Sequence, residues 1–163
     1  MIRGKIHRKI KSGIIFLFLW SFCFVACTPN NNGSDYTDLP TNGWAYGDTL
    51  CFKINTVDSV VPGTLSVAVD HSDSYLYNNL WLEVSYIADN INGRKEEFRD
   101  TLQIILTDSA GNWKGTGAAS NFQTEVPFGK RNFYSEYPVR IRHIMRTDTL
   151  KGMNRVGVFF NDK

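Results

Sequence analysis

Hydrophobic residues are distributed along this chain in two ways, as one unbroken run near the start and as short alternations afterwards. The run extends from Gly13 to Ala26 and ends in Phe24, Val25, Ala26 and Cys27. As a helix its 14 residues would span about 21 Å. A bilayer core is roughly 30 Å thick, so the run is too short for a permanent transmembrane helix. From about residue 44 onward the dominant period is two, the signature of strands. Leu50, Phe52 and Ile54 alternate with Cys51, Lys53 and Asn55, and Leu65, Val67 and Val69 alternate with Ser66, Ala68 and Asp70. Both segments are predicted to be half-buried strands, with Cys51 a small buried or half-buried side chain. Leu80, Leu82, Val84 and Tyr86 predict another; Trp81 and Ile87 make its second face partly apolar, as for a strand near a sheet centre. Leu102, Ile104 and Leu106 run into the turn chemistry of Asp108 to Asn112 and then Trp113, a predicted hairpin. Val139, Ile141, His143 and Met145 oppose Arg140, Arg142, Ile144 and Arg146, and Val156 to Phe160 forms a last short strand.

No segment reads as an amphipathic helix. Seven or more short strands divided by turn residues at Pro62-Gly63, Asn92-Gly93-Arg94 and Phe128-Gly129 predict an all-β fold: an antiparallel β-sandwich, immunoglobulin-like or jelly-roll-like, with an open barrel as the alternative. Residues 44 to 163 read as one domain. Thr28 to Asp35 contain no apolar residue and three consecutive Asn, so residues 27 to 43 read as a flexible tether.

Ahead of the apolar run, Arg3, Lys5, Arg8, Lys9 and Lys11 stand without an acidic neighbour, so residues 1 to 26 read as a signal peptide. Small residues leading into Cys27 resemble the bacterial lipobox, which is cut just before a cysteine whose thiol has received a diacylglycerol. Only a thiolate attacks the lipid donor readily and leaves a stable thioether, and several acyl chains, palmitate among them, exceed what stable anchoring requires. Thr28 in place of Asp lacks the inner-membrane retention signal, and no acidic cluster directs export to the cell surface. The expected location is the periplasmic face of the outer membrane. Removal of the leader takes five of 18 basic residues, leaving 13 against 16 acidic ones and a formal charge of −3 in place of +2. A mildly acidic domain has no electrostatic reason to bind nucleic acid.

Candidate chemistry is sparse. His71 and His143 have no third His or Cys at ligand spacing, so no metal and no cofactor is expected. His143 shares an inward register with Ile141 and Met145, and reads as a core histidine. Asp70, Ser72 and Ser74 begin like a calcium loop, but Tyr75 and Trp81 stand where that loop needs Gly and Glu. The glycines of Gly115-Thr116-Gly117 lack a phosphate-binding context and read as bulge or twist positions. No nucleophile elbow occurs, and Glu96, Glu97 and Asp100 read as solvated loop carboxylates. The chain is read as no enzyme. Two surface readings remain. Arg140, Arg142 and Arg146, at alternate positions, would share a strand face and clamp a partner protein, unless cross-strand carboxylates neutralise them. Trp44, Tyr46, Tyr75 and Tyr77 are candidate platforms for stacking on a glycan.

Several separated motifs resemble the gliding motility lipoprotein GldH family. Tyr75-Leu76-Tyr77-Asn78-Asn79-Leu80-Trp81-Leu82 is similar to its Tyr-Pro-Tyr-x-Asn-Leu-aromatic-Leu element, and Asp100-Thr101-Leu102 to its Asp-Thr-Leu. Gly111-Asn112-Trp113-Lys114-Gly115-Thr116-Gly117 is similar to Gly-x-Trp-x-Gly-x-Gly, and His143 to Arg146 and Leu150 to Gly157 complete the series in order. Leu76 departs from the usual Pro, and Asp70 precedes His71 where Arg is expected. The resemblance implies a lipoprotein of the gliding machinery and its associated envelope secretion apparatus, acting as a membrane-anchored, non-catalytic scaffold or adaptor on other envelope proteins. Its motif residues are expected to be mainly fold determinants, with Gly115 and Gly117 leaving room for Trp113. A glycan-binding envelope module is the alternative.

Overall fold

A computed structural model describes residues 32–117 and 120–162. Residues 1–26, read from the sequence as a signal peptide, and Cys27 lie outside the described residues. The described residues form strands and turns only. The strands are β1 Gly33–Asp38, β2 Trp44–Ala45, β3 Leu50–Phe52, β4 Val60–Ser72, β5 Asn79–Asp89, β6 Lys95–Ile105, β7 Asn121–Tyr134, β8 Val139–His143, β9 Thr149–Leu150 and β10 Met153–Asn161. Eight of them make one antiparallel sheet in the order β1-β10-β4-β7-β5-β8-β3, with β6 on β5, while β2 and β9 form a small second sheet.

The all-β antiparallel expectation holds, and the way the large sheet turns explains why sandwich and open barrel were both plausible. β7 and β5 share only the pair Ala88 and Phe133. There the sheet folds into two halves, β1-β10-β4-β7 and β3-β8-β5-β6, around one core. At the other end β1 approaches β3, where the Lys53 N–H donates to the Asp35 carboxylate at 2.8 Å and nearly closes the circuit. A bulge between Leu65 and Ser66 leaves Phe128 as an extra residue on β7, and its ring packs against Tyr86 in the core.

Leu65, Val67 and Val69 from β4, Val156, Val158 and Phe160 from β10, Leu80, Leu82 and Val84 from β5, and Val139 and Ile141 from β8 fill the interior. Each such side chain stabilises the fold by about 1.5–3 kcal/mol through burial. The predicted inward sets are therefore correct. β4 is buried on both faces, however: Ser66 and Ala68 are covered as well. The reason lies in a stretch read as tether. Residues 33 to 38 pair along their whole length with β10, so the domain begins before residue 44, and Tyr36 lies over Gly157, the partner of Ala68. A Cβ at Gly157 would collide with that ring.

Two turns are built as their residues require. Asn90 accepts from the Asn92 and Arg94 N–H groups, and Gly93 adopts φ 69°, which closes the long β5–β6 hairpin. Asp108 accepts in the same manner from Ala110 and Asn112, but Thr107 and Trp113 then share a single bridge, so the hairpin predicted there is a tight turn rather than a strand pair. Gly115 and Gly117 serve a different neighbour from the one expected. Their missing side chains let the chain run against the Gln123 and Asn121 carbonyls of β7, not against Trp113. Glu96, Glu97 and Asp100 lie on β6 rather than in a loop.

Candidate functional site

The outer face of the β3-β8-β5-β6 half carries polar chemistry at its centre and aromatic chemistry at one end. In the centre, cross-strand register sets Glu83 opposite Arg142 and Ser85 between Arg140 and Arg99. Arg142 donates twice to Glu83, from Nε at 2.8 Å and from its terminal nitrogen at 3.0 Å. This fork holds the Glu83 carboxyl below its ordinary pKa and raises that of Arg142. The other ion pairs are long: Arg99 to Glu83 and Arg140 to Glu97, each at 3.8 Å. These side chains, with Thr49, line a depression of about 270 Å³. The carboxylate partners expected under the neutralised reading are thus present, but only one is tightly engaged.

At the end of the same face, Tyr77, Trp81, Thr101, Ile144, Met145 and Arg146 line a depression of about 580 Å³. Tyr46 joins Ile144, Met145 and Arg146 around an adjoining one. Trp81 is 37% exposed, Tyr77 38% and Tyr46 49%. Their positions are fixed from below. The Trp81 N–H donates to the Met145 sulfur at 3.3 Å, and the Ile144 N–H to the Trp81 carbonyl at 2.9 Å. Tyr46 is set by the β2–β9 pair and by its own N–H donating to the Asp148 carbonyl at 2.9 Å. Under it lies His143, whose ring meets Tyr46 edge-on at 5.6 Å and Trp44 at 5.2 Å. His143 Nε2 donates to the Trp44 carbonyl at 3.1 Å, which fixes the tautomer, and burial pushes its pKa down. Its Nδ1 is buried with no partner among the described residues.

The candidate residues are therefore redistributed. Arg140 and Arg142 share the central depression, whereas Arg146 does not continue their stripe. β8 ends at His143, and Arg146 lies beyond it, in the aromatic depression. Of the stacking candidates, Tyr46 and Tyr77 are exposed. Trp44 (0%) and Tyr75 (3%) are core residues and cannot stack on a ligand. Trp44 donates to the Asp48 carbonyl and Tyr75 to the Asn79 carbonyl, so each satisfies its polar atom internally. Trp81 and Ile144 belong to the site and were missed as site residues; their place opposite Leu80 and His143 in the alternation was the available signal. Cys51, expected to be buried or half-buried, is instead exposed on the same face, on β3, the end strand of the sheet, where it pairs with Arg140.

A second polar cluster lies between β6 and β7. The Tyr86 hydroxyl donates to Asp100 at 2.6 Å, Arg131 stacks over Phe98 at 4.1 Å, and burial followed by the Asp100 bond pushes Tyr86 up to about 12. His71 occupies an aromatic cage of Tyr75, Trp113 and Phe122, and donates from Nδ1 to the Ser72 carbonyl at 3.0 Å. Among the described residues no cluster of three His, Cys, Asp or Glu side chains is placed to hold a metal ion. No helix there is long and apolar enough to cross a membrane.

No curated protein matches the chain. The model of the GldH lipoprotein family matches residues 32–159, from the first residue of the described domain almost to its last strand residue. With most of its length covered by that match, the chain belongs to the GldH lipoprotein family.

Proposed function

We propose that this lipoprotein is a non-catalytic adaptor of the gliding motility and associated secretion machinery, held by Cys27 at the periplasmic face of the outer membrane. It docks another envelope protein through Tyr46, Tyr77, Trp81, Ile144 and Arg146. One observation carries this reading: three exposed aromatic rings gather around an arginine that no ion pair among the described residues neutralises. Tryptophan, tyrosine and arginine are the residues that most often dominate interface energetics. The carboxylates of the central depression support the non-catalytic part, because Glu83 is held ionised by Arg142 and Glu97 lies beside Arg140.

Crosslinking in cells tests the reading. Wild type is expected to yield a specific adduct that Trp81→Ala and Arg146→Glu abolish, while Cys27→Ser releases the protein from the membrane and retains the adduct in solution. Recovery of no adduct that depends on Trp81 would sink the adaptor reading. The glycan alternative keeps Tyr46 and Tyr77 and gains Trp81 as platforms. A polysaccharide that shifts tryptophan fluorescence in wild type but not in Trp81→Phe would favour it.

A further inference from the structure

We infer, building on the adaptor reading, that the docked partner presents an extended acidic segment with one bulky apolar side chain. That apolar group is received beside Trp81, and carboxylates are received on either side of it, by Arg146 and by the Arg99–Arg140 pair.

Charge on this face is opposite to that of the mature chain as a whole. After loss of the leader the chain is acidic, 13 basic against 16 acidic side chains. The centre and end of this face run the other way: four arginines, Arg99, Arg140, Arg142 and Arg146, stand against Glu83, Glu97 and Asp148. Only Arg142 is fully engaged. A guanidinium has five N–H donors in a planar fork, and the 3.8 Å contacts of Arg99 and Arg140 leave most of theirs facing solvent. Such forks match carboxylates two bonds at a time.

Spacing then fixes the shape of the ligand. Trp81, Glu83 and Ser85 are successive outward positions on β5, and Arg140 and Arg99 flank Ser85 in register. The distance from Trp81 to Ser85 is about 14 Å at the rise of a strand. An extended segment lying along β5 therefore brings a carboxylate to Arg99 and Arg140 when it stands four residues from the apolar side chain at Trp81. Arg146 lines the wall of the Trp81 depression and receives a carboxylate adjacent to that side chain. Between them the Arg142 fork is already taken by Glu83 and leaves no arginine for a third carboxylate, which favours the interrupted pattern over a continuous run of acids.

The test uses the full-length lipoprotein in detergent micelles and a labelled synthetic peptide with a phenylalanine beside one aspartate and four residues from a second. Binding is expected to weaken about tenfold when both aspartates become asparagine or the phenylalanine becomes serine. It should fall as salt rises, since the forks are exposed. Trp81→Ala and the pair Arg99→Glu, Arg140→Glu are expected to lose it. Lys130→Glu, exposed on the other half, is not. Arg140→Gln is the milder companion, and an unchanged thermal midpoint in each variant excludes unfolding as the cause. Equal binding of the acidic and amide peptides would overturn the inference, as would a preference for phosphatidylglycerol vesicles over the peptide. Either result with a Trp81-dependent adduct in cells leaves the adaptor reading standing. Selective peptide binding without an adduct sustains the inference and removes the adaptor role.

Discussion

The two outer faces of the domain use the same residue types to opposite ends. On the β1-β10-β4-β7 half, Arg155 grips Asp70 at 2.6 and 2.8 Å and lies over the Tyr36 ring at 4.8 Å, and Tyr36 meets Phe159 edge-on at 5.1 Å. Arginine, carboxylate and aromatics close on one another and cover Ser66 and Ala68. On the β3-β8-β5-β6 half, two of the arginines reach their carboxylates only at 3.8 Å, and Tyr46, Tyr77 and Trp81 stand open beside Arg146. The difference teaches that an arginine and tyrosine pattern in sequence does not distinguish a seal from a docking surface. What decides is whether a neighbouring strand brings a ring that lies back over it, as β1 does with Tyr36 on the first face.

The largest expected effect breaks the closed face. Gly157→Val places two methyl groups where the Tyr36 ring lies and must push that ring off the sheet. Overpacking of this kind costs about 3 kcal/mol, read as a lowered midpoint in urea. An unchanged midpoint would mean that Tyr36 does not seal this half.

Acid separates the two halves by a smaller amount. His71 beneath the first and His143 beneath the second are both buried and both have a pKa lowered by burial from the free value of 6.5. A depressed histidine favours the folded state while neutral. That contribution is fully present above pH 6.5 and is lost as pH falls through the folded values, because the unfolded chain takes up protons first. His71 faces the Ser72 carbonyl, Asp70 and the rings of Tyr75, Trp113 and Phe122; His143 faces the Trp44 and Ala45 backbone, Asp48 and Tyr46. The protection factor against hydrogen exchange, taken relative to the intrinsic rate at each pH, is expected to fall in mild acid at residues 44 to 46 in wild type and to fall less in His143→Gln, which leaves the His71 region unchanged. Acid sensitivity identical in both proteins would show that His143 does not hold the Tyr46 wall.

Legibility in the sequence followed solvent. Residues 50 to 55 and 139 to 146 alternate cleanly because one of their faces is wet, and their inward sets were correct down to His143 and Met145. β1 was illegible because Gly33-Ser34-Asp35-Tyr36-Thr37-Asp38 offers one large apolar group. It is a strand by virtue of the β10 ladder it joins, not of its own composition. Trp44 and Tyr75 stand among polar neighbours that imitate a surface loop, yet their indole and hydroxyl donors find backbone carbonyls four residues on, which makes burial affordable. The site itself was legible in halves. Arg146, Tyr46 and Tyr77 were each visible, but under two different hypotheses. Only the end of β8 at His143 and the outward turn of Trp81 bring them together.

The smallest effect on stability gives the sharpest contrast in function. Cys51 is exposed, pairs with Arg140 across β3 and β8, and is the free thiol among the described residues. Alkylation with a bulky maleimide adds mass to the open face without entering the core, so the unfolding free energy should stay within about 0.5 kcal/mol of the unlabelled protein. The same adduct stands beside the Arg140 fork and should block the acidic peptide, and prior peptide binding should slow alkylation. A Cys51→Ser, Thr64→Cys double variant, labelled only on the other half beside Lys130, is expected to bind peptide normally. If labelling Cys51 instead unfolds the domain, the second face is as sealed as the first and the contrast between them fails; if it neither unfolds the domain nor blocks the peptide, the arginines beside β3 are solvated and idle.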